Sequence, residues 1–507
     1  MRILWEILYH MYILSDFRTK TTSEYQGIVS FRNLQGVFRG CCDFQTRQID
    51  FGLEKNRRIT VCWIDGLVSG TAVTEEILRP LTQVSRAGEQ EGSLAAIEQI
   101  LRGSVYRYAV KARSKLQDVI EDLTHGSCAL LFEESGAALC FEVRSDKTRA
   151  IGEPTLEKSL KGAKDAFVET LRINTALVRQ RLCTPQLKLV EHSCGSLTHT
   201  KVAILYMEGI AAPELVERIC ERLVHLDAET LLGSSILEER LADAPYSPFP
   251  QMLHTERPDR FAMHLLDGRV GLLVDGLPVG LLLPADFAAF MSVTDDAGVH
   301  FSAATALTLL RYAALLLSLL TPAVYVAVAG FHPEMIPTRL LLSIIEAEQD
   351  VPFSPALEVL GMLFAFALLQ EAGLRLPNPV GDTVSIIGAL IVGQAAVEAK
   401  LVSPISIIVV AISGISCYAL PSQDMASAFR LCRLALLVGG ILAGLYGVCL
   451  GCCLLFLHLA DLDSCGYNYT APLSEGSHGL SRLLLRRPRT RRRQSPILRI
   501  FSGRWTQ

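Results

Sequence analysis

The run YAALLLSLLTPAVYVAVAGF, at residues 312 to 331, holds no charged side chain over its whole length. A helix needs about 20 mostly apolar residues to cross the roughly 30 Å of hydrocarbon in a bilayer. In lipid such a segment must be helical, because an unpaired backbone amide there costs several kcal/mol. Similar runs follow at 356 to 371, 383 to 399, 402 to 420 and 431 to 458. The sequence therefore predicts an α-helical membrane domain.

Charge divides the chain into three blocks. Residues 301–460 hold 15 of the 100 Lys, Arg, Asp and Glu residues, whereas residues 1–300 hold 73. The first block is thus about 24% charged, close to the 25% of a typical soluble domain. Residues 461–507 carry nine basic and three acidic side chains. This distribution excludes a single soluble globular protein and predicts a soluble block, a membrane domain and a basic tail.

The soluble block and the tail are both expected on the cytoplasmic side. No convincing export signal precedes the block, and RRPRTRRR (486 to 493) favours the cytoplasm by the positive-inside rule. An odd number of crossings would separate block and tail, so one of the five runs is expected not to cross. The weakest is 356 to 371, which is short and has Glu358 and Glu371 near its ends; alternatively, 383 to 399 is interrupted at its glycines. We expect four full crossings plus one re-entrant or interfacial helix.

The soluble block is predicted to form two α/β subdomains, because short apolar runs alternate with turn residues and helical stretches. ITVCWIDGLVSG (59 to 70) predicts a strand entering a hairpin turn at Asp65-Gly66, and CALLFEESGAALCFEV (128 to 143) predicts a second hairpin. A helical connector from about Leu156 to Cys183 is expected next.

Further strands are predicted at VAILYMEGI (202 to 210) and, across Asp275-Gly276, in RVGLLVDGLPVGLLLP (269 to 284). Between them, APELVERICERLVHL (212 to 226) predicts an amphipathic helix with Leu215, Ile219 and Leu223 on one face. WIDGLVSG and LVDGLPVG share one layout, which reflects either a weak internal duplication or two independent hairpins using the commonest turn dipeptide.

The expected domains are an atypical extension (1–30), a first α/β subdomain (31–150), a helical connector (151–200), a second α/β subdomain (201–300), a transmembrane domain of about four to five helices (301–460) and a basic tail (461–507).

The run GALIVGQAAVEAKLVSP (388 to 404) carries the candidate functional residues. Gln394 and Glu398 share a helix face at i, i+4 spacing, edged by small residues that include Gly393, and Ser403 follows. Such a face lines an aqueous path or packs closely against another helix, with an interfacial end at Glu398 and Lys400 as a third option.

Arginines flank the last apolar run. Arg430 and Arg433 open it and are expected at the headgroup boundary, and the tail arginines include Arg491, Arg492 and Arg493. We expect all five to contact anionic lipid headgroups rather than nucleic acid.

The sequence holds no P-loop, dinucleotide glycine fingerprint, HExxH or GxSxG motif. We therefore expect no enzyme activity, no metal site and no cofactor.

Several long runs also resemble one known family, in order along the chain: WIDGLV (63 to 68), YMEGIA (206 to 211), PYSPFPQMLHTERPDR (245 to 260), FHPEMIPTRLLLSI (331 to 344), GDTVSIIGALIVGQAAVEAKLVSP (381 to 404) and HLADLDSCGYNYTAPL (458 to 473). They resemble the A-subunit class of the GerA family of spore germination proteins over roughly residues 45 to 490. The first 30 residues and the arginine-rich end fall outside the pattern.

The resemblance implies a subunit of a nutrient germinant receptor in the inner membrane of an endospore. It implies an α/β region on the cytoplasmic side, a multi-span membrane region, and assembly with transporter-like B subunits and lipoprotein C subunits. It also implies a homo-oligomer around an ion-conducting path. Our candidates for that path or for a helix interface, taken from the spacing above, are Gly393, Gln394, Glu398 and Ser403. Two alternatives remain open: the stage V sporulation AF paralogue, and a secondary transporter with a regulatory soluble domain.

Overall fold

The computed structural model describes residues 25, 27–50, 58–80, 110–144, 152, 154, 157, 162–226, 229–231, 233–375, 393–471 and 484. These residues form two compact units. An α/β unit takes its described residues from 1–241 and 254–283, and a helical unit takes its described residues from 242–253 and 284–492. The predicted fold class, an α/β region of two subdomains followed by a helical membrane domain, is confirmed.

The first sheet of the α/β unit has five antiparallel strands in the order β1-β2-β4-β5-β3. Its elements are α1 (Phe31–Val37), β1 (Phe44–Asp50), β2 (Arg58–Ile64), α2 (Gly70–Ala72, continuing as a π-helix over Val73–Leu78), β3 (Val110–Arg113), α3 (Leu116–Thr124), β4 (Ser127–Phe132) and β5 (Ala137–Glu142). Every residue of β4 is buried, which explains its unbroken apolar run. The hairpin predicted between residues 128 and 143 is confirmed.

The second sheet has the strand order β6-β7-β9-β10-β8. Its elements are α4 (Leu171–Arg181), β6 (Leu187–Cys194), β7 (Thr200–Met207), α5 (Pro213–Val224), α6 (Ser234–Leu241), β8 (Leu253–Thr255), α7 (Pro258–Leu266), β9 (Val270–Val274) and β10 (Gly280–Leu283). The predicted strands at 202 to 210 and 269 to 284 are confirmed. Leu215, Ile219 and Leu223 are the buried face of α5, also as predicted.

The two sheets share one topology, since each order becomes 1-2-4-5-3 when its strands are numbered from its own first strand. A glycine with positive φ follows the second strand of each sheet, Gly66 after β2 and Gly209 after β7. The predicted hairpin at Asp65-Gly66 is wrong, because the chain continues there into α2. The Asp275-Gly276 turn lies instead between β9 and β10, the place that Glu134–Gly136 has in the first sheet. The likeness of WIDGLVSG to LVDGLPVG therefore pairs two positions that differ in the fold.

Within the described part of the expected connector, residues 163–170 are not helical and α4 begins at Leu171; Leu156 lies outside the described residues. The start of α4 depends on a contact distant in sequence, because the Asp275 carboxylate accepts a hydrogen bond from the Leu171 N–H at 3.0 Å. Strand β6 also falls within the residues expected to connect the subdomains.

The helical unit contains α8 (Phe287–Met291), α9 (Phe301–Phe331), α10 (Thr338–Glu348), α11 (Pro355–Arg375), α12 (Pro404–Tyr418), α13 (Gln423–Asp461) and the short pair β11 (Asp463–Ser464) and β12 (Tyr467–Asn468). Among the residues that the structure describes, three helical stretches are long and apolar enough to span a membrane: Phe301–Phe331, Pro355–Ala372 and Gln423–Asp461. The segment judged weakest from sequence is thus among them, because its helix extends past the apolar run. The helix at 402 to 420 has only 15 residues, and most of 383 to 399 lies outside the described residues.

Helix α13 is a hairpin of two antiparallel arms, residues 423–442 and 445–461. Ala443 and Gly444 have non-helical dihedral angles, with φ of +59° at Gly444. Phe249 contacts Phe429 in the first arm and His458 in the second, at ring-centroid distances of 5.5 and 5.9 Å. In one straight helix those two residues would be about 43 Å apart at 1.5 Å per residue. The last apolar run therefore returns to the end of the unit where it began.

Glycines allow the two arms of α13 to touch. A Cβ added to Gly439 would lie 3.1 Å from the carbonyl oxygen of Gly447, and one added to Gly447 would overlap the carbonyl oxygen of Gly439. Small residues let helix backbones approach closely in this way. The sequence prediction of one re-entrant segment placed it at 356 to 371 or 383 to 399, whereas the structure shows the reversal at 443–444.

Candidate polar sites of the helical unit

Contacts of α11 with α12 and α13 define two ends of the helical unit. Near one end, Glu358 at the start of α11 accepts a hydrogen bond from the N–H of Ser403, which precedes α12. Farther along both helices, the Phe366 ring lies 6.4 Å from the Tyr418 ring. Helices α11 and α12 thus run in the same direction, from a Glu358 end towards an Arg430 end, where Arg430 donates to the Gln370 side chain at 3.2 Å.

An apolar layer lies between two polar groups of this bundle. It is formed by buried side chains from four helices: Val326, Val359, Leu363, Val410 and Leu437. Glu358 is next to Val359 in sequence, and Arg433 is one helical turn before Leu437. Each polar group therefore borders the same apolar layer.

Glu358 is the first polar group. Only 3% of the residue is exposed. Its Oε2 accepts the Ser403 N–H at 2.8 Å, and its Oε1 has no hydrogen-bond partner among the described residues. Ser403 also caps α12, because its Oγ accepts the N–H of Ser406. No described hydrogen bond or ion pair joins Glu358 to a basic side chain.

Arg433 is the second polar group, with 6% of the residue exposed. Its Nη1 donates to the Ser413 Oγ at 3.0 Å, and the Ser413 hydroxyl donates to the carbonyl oxygen of Ser318 at 2.7 Å. Among the described residues, no carboxylate forms an ion pair with Arg433. Sequence reasoning placed both Arg430 and Arg433 at the headgroup boundary, whereas in this subunit Arg433 lies inside the bundle and Arg430 is partly buried.

The residues predicted for an ion path or helix interface fall into two groups. Ser403 is fully buried beside Glu358. Gln394 and Glu398 are exposed on the surface of this subunit, and Gly393 is partly exposed with open space around it. Arg491, Arg492 and Arg493 lie outside the described residues. Within a single subunit, therefore, only Ser403 of the four predicted residues contributes to the interior.

Glu358 was missed as a functional residue, although the sequence holds its signal. A lone carboxylate near the end of an apolar helix is a functional candidate by default, but it entered the sequence argument only as a reason against a membrane crossing. Its burial depends on the Ser403 N–H, 45 residues away. Among the described residues, no group of three or more His, Cys, Asp or Glu side chains is placed to hold a metal ion.

Comparison with known proteins identifies the family. The family model described as Bacillus/Clostridium GerA spore germination protein matches residues 32–498. Spore germination protein KA of Bacillus subtilis is 36% identical over 88% of this chain and 81% of its own length. Spore germination protein GerQA of Bacillus cereus is 33% identical over 88% of this chain and 87% of its own length.

Among solved structures, the chain is similar to the crystal structure of the N-terminal domain of the A subunit of the Bacillus megaterium spore germinant receptor GerK3. The identity is 27% and the TM-score 0.41, and the match covers 52% of this chain and 98% of that one. The match of the family model over most of the chain and relatives above 30% identity lead to one conclusion. The chain belongs to the GerA family of spore germination proteins, and it is a membrane protein.

Proposed function

We propose that this chain is the A subunit of a spore nutrient germinant receptor and that it converts germinant binding elsewhere in the complex into ion release. The family match supports the receptor role. The observation that supports ion release is a helical bundle that buries Glu358 and Arg433 on either side of one apolar layer. Burying a charge without an opposite partner costs several kcal/mol, so a purely structural anchor gains nothing from either residue.

In this proposal the described bundle is the closed state. The apolar layer formed by Val326, Val359, Leu363, Val410 and Leu437 separates the two polar groups. Germinant binding favours a second arrangement through its differential affinity for the two states. A shift from 1:99 to 99:1 needs a difference of about 5.5 kcal/mol between them.

The exposed polar face of Gln394 and Glu398 supports assembly of several copies around a conducting path. Both side chains lie on the surface of one subunit within a segment of mostly small and apolar residues. A polar face in that setting is best satisfied against another copy or against water. We place Gly393 along the same path, whereas Ser403 lies inside the bundle beside Glu358. We assign B and C subunits as further partners.

The orientation follows from the same proposal. Four crossings and the α13 hairpin put the α/β unit and the basic tail on one side, which we assign to the cytoplasm or spore core. Arg430, Arg491, Arg492 and Arg493 remain our candidates for anionic lipid contacts, whereas Arg433 lies inside the bundle. The chain acts as a receptor subunit rather than an enzyme, and the order of its domains remains the one proposed from sequence.

The test is the release of monovalent ions from spores of the host with this chain deleted, against a panel of single amino acids, sugars and nucleosides. We expect release to be lost for one nutrient class while non-nutrient triggers still work. A uniform delay for all nutrients would assign an amplifying role instead, and unchanged release would contradict the receptor role.

Returning variants of this chain to the deletion strain then tests the proposed position of the ion path. Gln394→Leu and Glu398→Gln are expected to change the rate or the threshold of ion release, because both alter the polar face. The matched control is Glu346→Gln, an exposed carboxylate on α10, which should behave as the unmodified chain. If both path variants also leave rate and threshold unchanged, this placement of the path is wrong.

A further inference from the structure

Residues 242–253 pack within the helical unit, although the chain on both sides of them belongs to the α/β unit. They follow α6 and lead into β8, and residues 242–252 form no helix or strand. The segment holds three prolines, Pro245, Pro248 and Pro250, and each proline fixes its own φ angle. It is therefore a stiff segment of irregular structure whose two ends continue into the α/β unit.

The Gln251 side chain holds this segment in one shape. Its oxygen accepts the N–H groups of Asp243 and Ala244 at 2.8 and 3.1 Å, and its nitrogen donates to the carbonyl oxygen of Ala244 at 2.6 Å. Only 6% of Gln251 is exposed, so little water competes for these bonds. The Ser464 hydroxyl of β11 donates to the carbonyl oxygen of Gln251 at 2.8 Å. The segment is thus preformed, and it is attached to the chain that follows α13.

The segment contacts both arms of α13 at the open end of the hairpin, the end away from Gly444. The Phe249 ring is 2% exposed and contacts the Phe429 ring of the first arm and the His458 ring of the second. Ser247 Oγ and His458 Nε2 share a hydrogen bond at 2.8 Å. One short segment therefore binds the two arms at the same level.

The two ends of the hairpin are held in different ways. Next to the reversal, the backbones of Gly439 and Gly447 are in close contact. At the open end, the large apolar side chains of Leu431 and Leu457 are exposed on the surface of the unit. In lipid, exposed apolar surface gives two helices no net tendency to associate, so packing and hydrogen bonds decide. The ring contacts of Phe249 supply such packing at the open end.

We propose that residues 242–253 are a latch that holds the two arms of α13 together at their open end, and that release of this latch lets the arms separate. The structure shows the latched state. Both ends of the latch continue into the α/β unit, through α6 and β8, so a displacement of either element pulls on the latch. The latch is a property of the fold and does not depend on the proposed function.

The test measures the distance between the arms by pulsed electron paramagnetic resonance on the full chain in phospholipid nanodiscs. The chain has 14 cysteines, so the spin labels are attached to a noncanonical keto amino acid rather than to thiols. This amino acid replaces Leu431 and Leu457, which are 62% and 66% exposed and are each 13 residues from Gly444. Labelled chain is diluted into unlabelled chain, so that distances between copies do not contribute. We expect one narrow distance distribution when the latch is intact.

Phe249→Ala should add a second population in which the arms are farther apart, by up to about 8–10 Å, the spacing of two packed helices. Ser247→Ala removes the hydrogen bond to His458 but keeps the Phe249 ring, so it should add the same population in a smaller share. The matched control is Tyr246→Ala, because Tyr246 is an aromatic residue of the same segment and is 100% exposed. This control should leave the distribution unchanged.

Backbone hydrogen–deuterium exchange provides a second readout that separates release of the latch from general destabilisation. Phe249→Ala should speed exchange in residues 456–461, the last turns of the second arm. Residues 445–451, which follow the reversal, should keep their protection, because the contact of Gly439 with Gly447 does not involve the latch. Neither measurement needs ion release or a partner subunit, so both results are separate from that of the germination assay.

Three results would overturn the proposal. In the first, Phe249→Ala and Ser247→Ala keep the single distance of the unmodified chain. In the second, Tyr246→Ala separates the arms as much as Phe249→Ala does, so that the contacts with Phe429 and His458 are not what holds them. In the third, Phe249→Ala lowers protection equally along the whole second arm, which would make the segment a general part of the core rather than a latch.

Discussion

The junction of the two α/β subdomains and the core of the helical bundle bury charge in opposite ways. In the α/β unit, Arg179 is 1% exposed and donates two hydrogen bonds to the Asp43 carboxylate at 2.7 and 3.0 Å. In the helical unit, Glu358 and Arg433 are as deeply buried, yet neither forms an ion pair with another described residue. A buried pair serves the fold, because each charge compensates the other. A buried charge without a partner reduces stability and indicates a function.

The Asp43–Arg179 pair joins the two subdomains of the α/β unit. Asp43 immediately precedes β1 in the first sheet, and Arg179 lies on α4, which precedes the second sheet. The same junction carries backbone hydrogen bonds between residues 40–42 and Leu189 of β6, and Lys188 donates to the carbonyl oxygen of Val37 at 2.9 Å. The pair is therefore a structural connection, with all of its charge compensated.

The largest effect is expected for Arg179→Met. It leaves the Asp43 carboxylate buried without its cation, which should lower the free energy of unfolding of the α/β unit by about 3–5 kcal/mol. The measurement is a denaturant titration of the full chain in detergent, followed by tryptophan fluorescence, in which Trp63 of β2 reports on the first sheet.

The double variant Asp43→Leu with Arg179→Met serves as the control. Replacing a buried pair by apolar side chains is often neutral or stabilising, so the double variant should be more stable than Arg179→Met alone. If Arg179→Met is as stable as the unmodified chain, the Asp43–Arg179 pair does not stabilise the fold, and the contrast between the two units disappears.

The second prediction concerns the close contact between the two arms of α13 in the helical unit. Gly447→Ala places a methyl group against the Gly439 carbonyl oxygen, so the two arms of α13 must separate. Overpacking of this kind costs about 1–3 kcal/mol. We expect a lower midpoint of thermal unfolding for the purified chain, measured in the same detergent.

Gly361→Ala provides the matched control for the hairpin. Gly361 lies inside α11 with nothing within 4 Å of an added Cβ, and alanine is favoured over glycine in a helix by about 1 kcal/mol. This variant should be neutral or slightly stabilising. If Gly447→Ala behaves in the same way, close contact between the arms does not stabilise the unit.

The sequence predicted the parts of the fold that depend on local pattern. The hairpin between β4 and β5, the buried face of α5 and the apolar helices follow from periodicity and turn residues close together in the chain. The run from 431 to 458 was wrongly taken as one segment. Its composition is uniformly apolar, and only the contact of its two arms shows the reversal at Gly444.

The candidate site was less accessible to sequence reasoning, because its members are distant in the chain. Glu358 and Ser403 are 45 residues apart, and Ser413 and Ser318 are 95 apart. Spacing within one helix found Gln394 and Glu398, which lie on the surface of the subunit. It could not find Glu358 or Arg433 as interior groups, since their burial is a property of four packed helices.

The third and smallest effect is expected at His264, a buried titratable ring of the α/β unit. Both ring nitrogens of His264 lack a hydrogen-bond partner among the described residues, and the nearest carboxylate oxygen, on Asp267, is 3.9 Å away. Burial, assisted by Arg269 and Arg260, lowers the pKa of His264 well below its usual value. The folded unit therefore buries His264 as a neutral ring, and its burial adds no uncompensated charge to the unit.

This state makes the stability of the α/β unit depend on pH. Below about pH 6.5 the unfolded chain binds a proton at His264 that the folded chain does not, so stability falls as the pH is lowered, by at most about 1.4 kcal/mol per pH unit. His264→Gln should remove this part of the slope between about pH 6.5 and 5, measured by denaturant titration at several pH values. The exposed His225→Gln should retain it. An unchanged slope in His264→Gln would mean that the ring is protonated in the folded unit, and the α/β unit would then bury an uncompensated charge just as the helical unit does.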